Sequence, residues 1–142
     1  MLPDHDGLSL PWPAAGYIYV NPPYGRDASR GTTIKGWLKK AAAVAASGAE
    51  VLALIPVATN TRHWKDFVFK ATRVCFLADT RLKFYVAGKE LDKGAPMACA
   101  MVYWGTHHTE TFTNIFSQCG SVVTLVESKK SLVEPLSFLD LE

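Results

Sequence analysis

The sequence predicts an α/β protein with a mixed, mostly parallel sheet, and three observations support this prediction. Residues 17–20 form a short aromatic and β-branched run that is typical of a buried strand. Residues 50–55 are dominated by a continuous apolar run, which indicates a strand covered on both faces. Between them, apolar residues at helical spacing predict a helix over residues 32–47 that packs on the sheet. Strand, helix and strand in this order predict a right-handed βαβ unit with two parallel strands.

Further elements are predicted downstream of this unit. Arg62 is expected to begin a short helix, after a loop at the carboxyl edge of the sheet. Residues 73–77 predict a third parallel strand, and the apolar residues 98–104 predict an antiparallel strand. Residues 122–126 are expected to form the last strand, at the edge of the sheet.

Length and composition indicate one domain over residues 1–127, followed by a loosely attached tail over residues 128–142. The net charge of +2 permits binding to a polyanion without demonstrating it. No apolar run reaches about 18 residues, so no membrane segment is expected. The pair His107-His108 lacks a third ligand at usable spacing, so no metal site is expected. Three cysteines with apolar neighbours indicate core residues in a reducing cytoplasm. They are Cys75, Cys99 and Cys119.

The segment Asn21-Pro22-Pro23-Tyr24 is the candidate active site. The two prolines fix φ and hold the chain rigid just past the end of a strand, where ligands bind in open α/β sheets. The Asn21 side-chain oxygen and the Pro22 carbonyl can each accept one N–H of a nucleobase amino group, which draws the nitrogen towards a more nucleophilic geometry. Tyr24 offers a face for stacking a flipped-out base, worth ~1–3 kcal/mol. A simple turn started by Asn-Pro is the alternative interpretation.

An ordered series of segments accompanies this motif. The segments are Asp6-Gly7-Leu8 with Trp12, Tyr19-Val20-Asn21-Pro22-Pro23-Tyr24, Leu54-Ile55-Pro56 with Thr59, Thr61, Arg62 and Trp64, Arg81-Leu82-Lys83-Phe84, Gly94-Ala95-Pro96 and Val102-Tyr103-Trp104-Gly105. The series resembles the phage-type DNA N6-adenine methyltransferases (Dam-like), and the resemblance covers most of residues 4–125. Asn-Pro-Pro-Tyr after a hydrophobic strand is the catalytic motif of amino-methyltransferases that use S-adenosylmethionine.

The resemblance implies transfer of a methyl group from S-adenosylmethionine to N6 of a flipped-out adenine in double-stranded DNA, in the cytoplasm of a bacterial host. Asn21 and Pro22 would hold the amine, Pro23 would keep the loop rigid and Tyr24 would stack on the base. The same motif also serves enzymes that methylate RNA or a protein glutamine. A DNA-binding remnant without catalytic activity is a further alternative.

Basic and aromatic side chains are candidates for the DNA-facing surface. The candidates are Arg26, Arg30, Arg62, Trp64, Arg81 and Lys83. The two arginines of the loop after the motif suit phosphate contacts, although a merely solvated loop is the alternative. The stretch around Arg81 and Lys83 is the densest in basic and aromatic residues, and an ordinary exposed hairpin is the alternative there.

The donor side of the site is incomplete in the sequence. A methyltransferase needs a glycine-rich turn after its first strand, and no Gly-x-Gly occurs among the ten glycines. The resemblance implies that the family's first strands, which normally precede Asp6, are missing. It therefore implies a partial catalytic domain, the C-terminal half of a Rossmann-like sheet, completed by the missing N-terminal half or by a partner chain. Asp6, with Asn21, is the expected donor contact, and an Asx-turn closed by Gly7 is the alternative for Asp6.

Overall fold

The computed structural model describes residues 6–26, 28–29, 31–78, 82–94 and 97–126, which form an α/β fold, as predicted. In chain order the elements are β1 (Tyr17–Val20), α1 (Ile34–Ala46), β2 (Glu50–Pro56), α2 (Arg62–Asp66), a 3-10 turn (Val68–Lys70), β3 (Arg73–Leu77), β4 (Lys83–Val86), β5 (Lys89–Gly94), β6 (Cys99–Trp104), α3 (Thr109–Phe116) and β7 (Gly120–Thr124). Among the residues described, no helix combines the length and apolar character needed to cross a membrane.

The main sheet has five described strands in the order β1-β2-β6-β3-β7, and β4 and β5 form a separate hairpin. β1 and β2 are parallel, with Tyr17 opposite Glu50 and Val20 opposite Ala53. β6 lies between β2 and β3 and runs antiparallel to both, and β7 is antiparallel to β3. The mixed sheet and the predicted directions of β1, β2, β3 and β6 are confirmed, but three of the four neighbouring pairs are antiparallel. The expectation of a mostly parallel sheet is therefore wrong for the pairing of the described strands. β1, β2 and β3 do run in one direction, but β6 occupies the place beside β2 that a parallel neighbour would take.

The predicted βαβ unit is present, and α1 shows why its sequence forms a helix of this length. Trp37, Leu38 and Ala41 lie on one side of α1 and are buried against the sheet. Gly48, two residues after the end of the helix, has a φ of 116°, which lies in the left-handed region that glycine tolerates. Its N–H bonds to the carbonyl of Ala45 and the next N–H bonds to that of Val44, the Schellman arrangement that satisfies the last carbonyls of a helix.

Alternate residues of the strands divide the core into two layers. Val51, Ala53 and Ile55 of β2 belong to the layer that also contains the buried residues of α1 and α2. On the opposite face, Tyr103 of β6 and Cys75 of β3 pack with α3, where the rings of Tyr103 and Phe112 stack with their centroids 5.5 Å apart. Period-two alternation of this kind is expected for a sheet covered on both faces.

Two burial expectations fail at the margins of this core. β1 is not a fully buried strand, because Tyr17 and Tyr19 are 76% and 61% exposed on the face that α3 leaves uncovered. Beside them lies a groove of about 390 Å³, walled on its other side by residues of α3. Cys75 and Cys99 are buried core residues, as predicted, but Cys119 is exposed. Cys119 lies in the turn between α3 and β7, where its N–H bonds to the carbonyl of Phe116.

The β4–β5 hairpin turns at Ala87 and Gly88, which have φ angles of 50° and 77°. Positive φ at both central residues defines a type I′ turn, which favours Asn-Gly. We expect Ala87→Asn to stabilise the hairpin by roughly 0.5–1 kcal/mol, because Asn tolerates left-handed φ better than Ala. Hydrogen exchange of the β4 and β5 amides measures this, with Gly88→Ala as the destabilising control. Faster exchange in Ala87→Asn would contradict the assignment.

Candidate active site

The Asn21-Pro22-Pro23-Tyr24 segment leaves the carboxyl end of β1 directly, as the sequence predicts. Val20, the last residue of β1, is buried, and so is Pro22, whereas Asn21 and Pro23 are exposed. Within the described residues, the Asn21 side chain makes no hydrogen bond, so its amide oxygen is available to a ligand. The four residues line an open cleft of about 330 Å³.

Tyr24 is anchored at both ends of its ring. The ring packs in a small apolar cluster with Leu54 of β2 and Cys99 of β6. Its hydroxyl donates to the Leu54 carbonyl at 3.5 Å and lies 4.0 Å from Cys99 Sγ. Burial, followed by the neighbouring Cys99, raises the pKa of the Tyr24 hydroxyl. Tyr24 is therefore a neutral, half-buried ring held in a fixed position next to Asn21.

The loop after β2 lies beside the Asn21 loop, as predicted for two strands that end at the same edge. A second cavity, of about 350 Å³, is lined by Tyr24 on one side and by Pro56, Ala58 and His63 on the other. Two hydrogen bonds hold this second loop. The Thr61 hydroxyl donates to the Ala58 carbonyl at 2.6 Å, and an indole N–H from α2 donates to the Pro56 carbonyl at 3.1 Å.

Asp6 forms the Asx-turn that was the alternative to its donor role. Its Oδ1 accepts the Leu8 N–H at 3.0 Å, and its carbonyl accepts the N–H groups of Ser9 and Leu10. This local hydrogen bonding explains the aspartate at this position without a ligand. The donor role of Asp6 therefore stays a prediction.

Lys40 ties the loop that contains Asp6 to α1. Its ammonium donates to the carbonyls of Leu8, at 2.6 Å, and Leu10, and lies 4.9 Å from the centroid of the Trp12 ring. The Trp12 N–H in turn donates to the Gly7 carbonyl at 2.8 Å. The loop therefore folds back over the face of α1 that carries Lys40.

The candidate DNA contacts have different environments. Arg26 is exposed, and the Arg62 side chain is 84% exposed with a long 3.8 Å contact to Asp66. Lys83 pairs with Glu90 across the hairpin, which offsets its charge. The predicted contacts Arg30 and Arg81 lie outside the described residues.

Trp64 has to be withdrawn as a DNA contact. It has no exposed surface, it donates its N–H to the Pro56 carbonyl, and its ring packs 5.8 Å from that of Phe69 and 6.3 Å from that of Phe76. A duplex cannot contact a side chain without exposed surface. Trp64 instead holds α2 and the second loop against the sheet.

The structure adds residues to the site that sequence reasoning did not single out. His63 and Met97 both line the cavity next to Tyr24. The sequence could have indicated His63 as a site residue, because this histidine follows a loop at the carboxyl edge of the sheet. No sequence pattern indicates Met97 as a site residue. No group of three or more potential metal ligands occurs among the residues that the structure describes.

The fold and the site together define an α/β protein whose candidate active site is a rigid loop, bearing an amide and a carbonyl, at the carboxyl ends of two parallel strands. The family model described as DNA N-6-adenine-methyltransferase (Dam) matches residues 1–132, and the chain belongs to this family. The predicted resemblance is thus confirmed. Membership implies adenine methylation of DNA in general, with S-adenosylmethionine as methyl donor. Neither a curated protein nor a solved structure matches the chain.

Proposed function

We propose that this chain holds the target base in a DNA (adenine-N6) methyltransferase that acts on a flipped-out adenine in double-stranded DNA. The observation that carries the proposal is the Asn21 side chain, exposed and without a partner among the described residues, on a proline-stiffened loop beside an anchored Tyr24. Acceptors of this kind help catalysis only when they do not move during the reaction. The prolines and the buried end of β1 provide that rigidity.

Asn21, Pro22 and Tyr24 have separate roles in holding the target adenine. Asn21 Oδ1 and the Pro22 carbonyl each accept one N–H of the adenine amine, which reduces delocalisation of the nitrogen lone pair into the ring. Tyr24 stacks on the base, and this stacking offsets part of the free energy needed to extrude the base from the duplex. The donor supplies a methyl group on a sulfonium, so these residues need not include a strong general base. The proton of the methylated amine leaves to water.

The described residues do not by themselves form a donor pocket. The sequence has no Gly-x-Gly turn, and Asp6 uses one carboxylate oxygen in its own turn. We infer that a further segment or a partner chain supplies the glycine-rich turn and extends the sheet into a Rossmann-like one. The outer edge of β1 suits this role, because β1 ends the described sheet and has β2 as its one described neighbour. Asp6 would then approach the donor from the β1 side.

The DNA duplex would lie over the loops at this edge. Arg26 and Arg62 are exposed and available for phosphate contacts, and Lys83 becomes available if a phosphate replaces Glu90. Arg30 and Arg81 complete the proposed set on the basis of the sequence. The reaction would take place in the cytoplasm of a bacterial host.

The test is Asn21→Ala in the protein complemented with its donor-binding half. Methyl transfer to duplex DNA should fall by about 10²–10³-fold, the usual effect of removing one preorganised hydrogen-bonding group. Duplex binding should stay within about twofold, because phosphate contacts provide most of the affinity. Asn114→Ala, a matched change on the exposed surface of α3, serves as the control.

Three outcomes would contradict the proposal. Methylation by Asn21→Ala at a rate close to that of the parent would remove Asn21 from the mechanism. Labelled methyl donor offered with DNA, RNA and protein substrates tests the substrate class, and labelling of protein or RNA alone would exclude DNA as the substrate. Duplex binding without any methyl transfer would indicate a remnant that has lost catalysis.

A further inference from the structure

We propose that the β4–β5 hairpin reads DNA sequence in the major groove, and that Glu90 recognises a cytosine close to the target adenine. This inference rests on the proposed function and goes beyond it, because the residues that hold the adenine do not select the base pairs beside it. Three observations support it: where the hairpin is rooted, how exposed it is, and how Lys83 and Tyr85 hold Glu90.

Both ends of the hairpin lie beside Tyr24, the proposed stacking residue. Leu82, the residue before β4, packs against the buried Leu54 and Cys99 in the same apolar cluster as Tyr24. On the other side of the hairpin, Met97 lines a cavity together with Tyr24. A duplex whose adenine is flipped onto Tyr24 would therefore pass close to the root of the hairpin.

The hairpin has the dimensions of a major-groove reader. It forms a sheet of its own, and every hairpin side chain that the structure describes is exposed. The four residues of β4 span ~14 Å at about 3.4 Å per residue, which is comparable with the length of about four base pairs. A two-stranded ribbon fits into the major groove, ~12 Å wide, but the minor groove, ~6 Å wide, is too narrow for it. The hairpin can therefore follow the major groove beside the target adenine.

Glu90 is held as an oriented acceptor on one face of the hairpin. Tyr85 lies directly opposite Glu90, and its hydroxyl donates to Glu90 Oε2 at 2.9 Å. The ammonium of Lys83 pairs with Glu90 Oε1. The hydrogen bond from Lys83, followed by that from Tyr85, lowers the pKa of Glu90, so its carboxylate is ionised at neutral pH. Because phosphates repel a carboxylate, the natural partner of Glu90 on DNA is a base edge.

A carboxylate in the major groove selects the amino group of cytosine. Acidic side chains accept from cytosine N4, whereas guanine O6 and thymine O4 would turn a lone pair towards the carboxylate. Adenine also presents an amino group, but beside the N7 acceptor, which suits the amide of Asn or Gln better.

The contacts of Glu90 allow it to make this hydrogen bond. Each carboxylate oxygen has two lone pairs, so Glu90 can accept a base N–H while Tyr85 still donates to Oε2. Lys83 can then move from Oε1 to a phosphate, as proposed above. The hairpin thus gains affinity through Lys83 and specificity through Glu90.

A binding selection with the full chain tests the proposal. Duplexes with one fixed, mispaired adenine and randomised neighbours are equilibrated with the protein, and the bound fraction is sequenced. The parent should enrich cytosine about threefold to tenfold at a position within about four base pairs of the adenine, the effect of one added hydrogen bond. Glu90→Gln should lose this preference or move it towards adenine. Glu110→Gln, the same change on the exposed surface of α3, is the control.

A second measurement uses the parent alone and stays decisive if Glu90→Gln fails to fold. N4-methylcytosine in place of the selected cytosine removes one N–H from the base and should weaken binding by a similar factor. Equal affinity for the two duplexes would overturn the role of Glu90, and so would a cytosine preference that persists in Glu90→Gln.

The outcomes separate this inference from the proposed function. Asn21→Ala should keep the cytosine preference, because Asn21 acts at the adenine and not at its neighbours. A parent that binds duplex without any base preference would exclude the hairpin as a reader and leave the role of Asn21 intact. Methyl transfer by Asn21→Ala at the parent rate would remove Asn21 from the mechanism and leave the cytosine preference standing. A parent that does not bind duplex DNA would overturn both.

Discussion

Replacing Glu50 with alanine should lower the free energy of unfolding by about 3–5 kcal/mol, the range for removing one partner of a buried charged network. Glu50 starts β2 and is 9% exposed. Its carboxylate accepts the Tyr103 hydroxyl, lies 2.8 Å from His107 Nδ1, and accepts the backbone N–H groups of Thr106 and His107 at 3.3 Å each. Alanine would leave these donors without a partner at the end of β6.

Urea denaturation of both proteins measures this loss. Glu90→Ala is the matched control, because Glu90 also pairs with a cation and a tyrosine hydroxyl, but on an exposed hairpin. Exposed ion pairs contribute little, so Glu90→Ala should change the unfolding free energy by less than about 1 kcal/mol. Equal effects at the two positions would show that the Glu50 network does not stabilise the fold.

The same carboxylate predicts the response of stability to acid. Burial alone would raise the pKa of Glu50, but hydrogen bonds from Tyr103, His107 and two backbone N–H groups outweigh it and lower the pKa from 4.5 to about 2. The folded-state pKa lies below the unfolded one, so this stabilisation is complete above about pH 4.5 and is lost as the pH falls towards 2. Across that window the parent should lose on the order of 3 kcal/mol that Glu50→Gln does not lose. If the unfolding free energies of the parent and of Glu50→Gln changed in parallel over this pH range, this prediction would be contradicted.

The purified 142-residue chain is expected to self-associate and to lack methyltransferase activity until it is complemented. β1 is the outer strand of the described sheet, and residues 14–20 contain no charged side chain to discourage pairing with another chain. Tyr17 and Tyr19 are exposed beside this edge, above the groove next to α3. Backbone pairing and burial of the two rings would favour the same contact.

A charge on the edge strand tests this expectation. Tyr19→Lys should shift the chain towards monomer in sedimentation or light scattering, because pairing would then bury an ammonium group. Tyr85→Lys is the matched control, since Tyr85 is 65% exposed on the separate hairpin. A parent chain that is a stable monomer and methylates DNA by itself would refute both the open edge and the incomplete donor pocket.

Local sequence patterns predicted individual helices and strands, but they did not predict how distant strands pair. Apolar residues at helical spacing predicted α1, and a continuous apolar run predicted β2. Both elements are confirmed. The place of β6 between β2 and β3 depends on pairing between residues about 50 positions apart, such as Val51 with Trp104. No short-range pattern encodes that pairing, and for this reason the mostly parallel sheet was the wrong expectation.

The site shows the same division between local and long-range information. The rigidity of the Asn21 loop follows from its own two prolines, so the motif was visible in the sequence. Whether Trp64 faces a duplex or the core depends on how α2 sits on the sheet, and the structure buries it completely. His63 and Tyr24 are 39 residues apart and meet only because two strands end at one edge.

The central position of β6 has a consequence for synthesis of the chain. β2 and β3 each need β6 as a neighbour, yet residues 99–104 leave the ribosome well after both. Until then the earlier elements can form only a loose intermediate. In this intermediate, the edges of β2 and β3 that pair with β6 in the folded protein are unpaired and face each other. Closure of such a sheet requires distant segments to meet, which slows folding and extends the period in which a nascent chain is open to aggregation. We therefore expect release of the chain before residue 99 to leave a product that binds chaperones instead of folding.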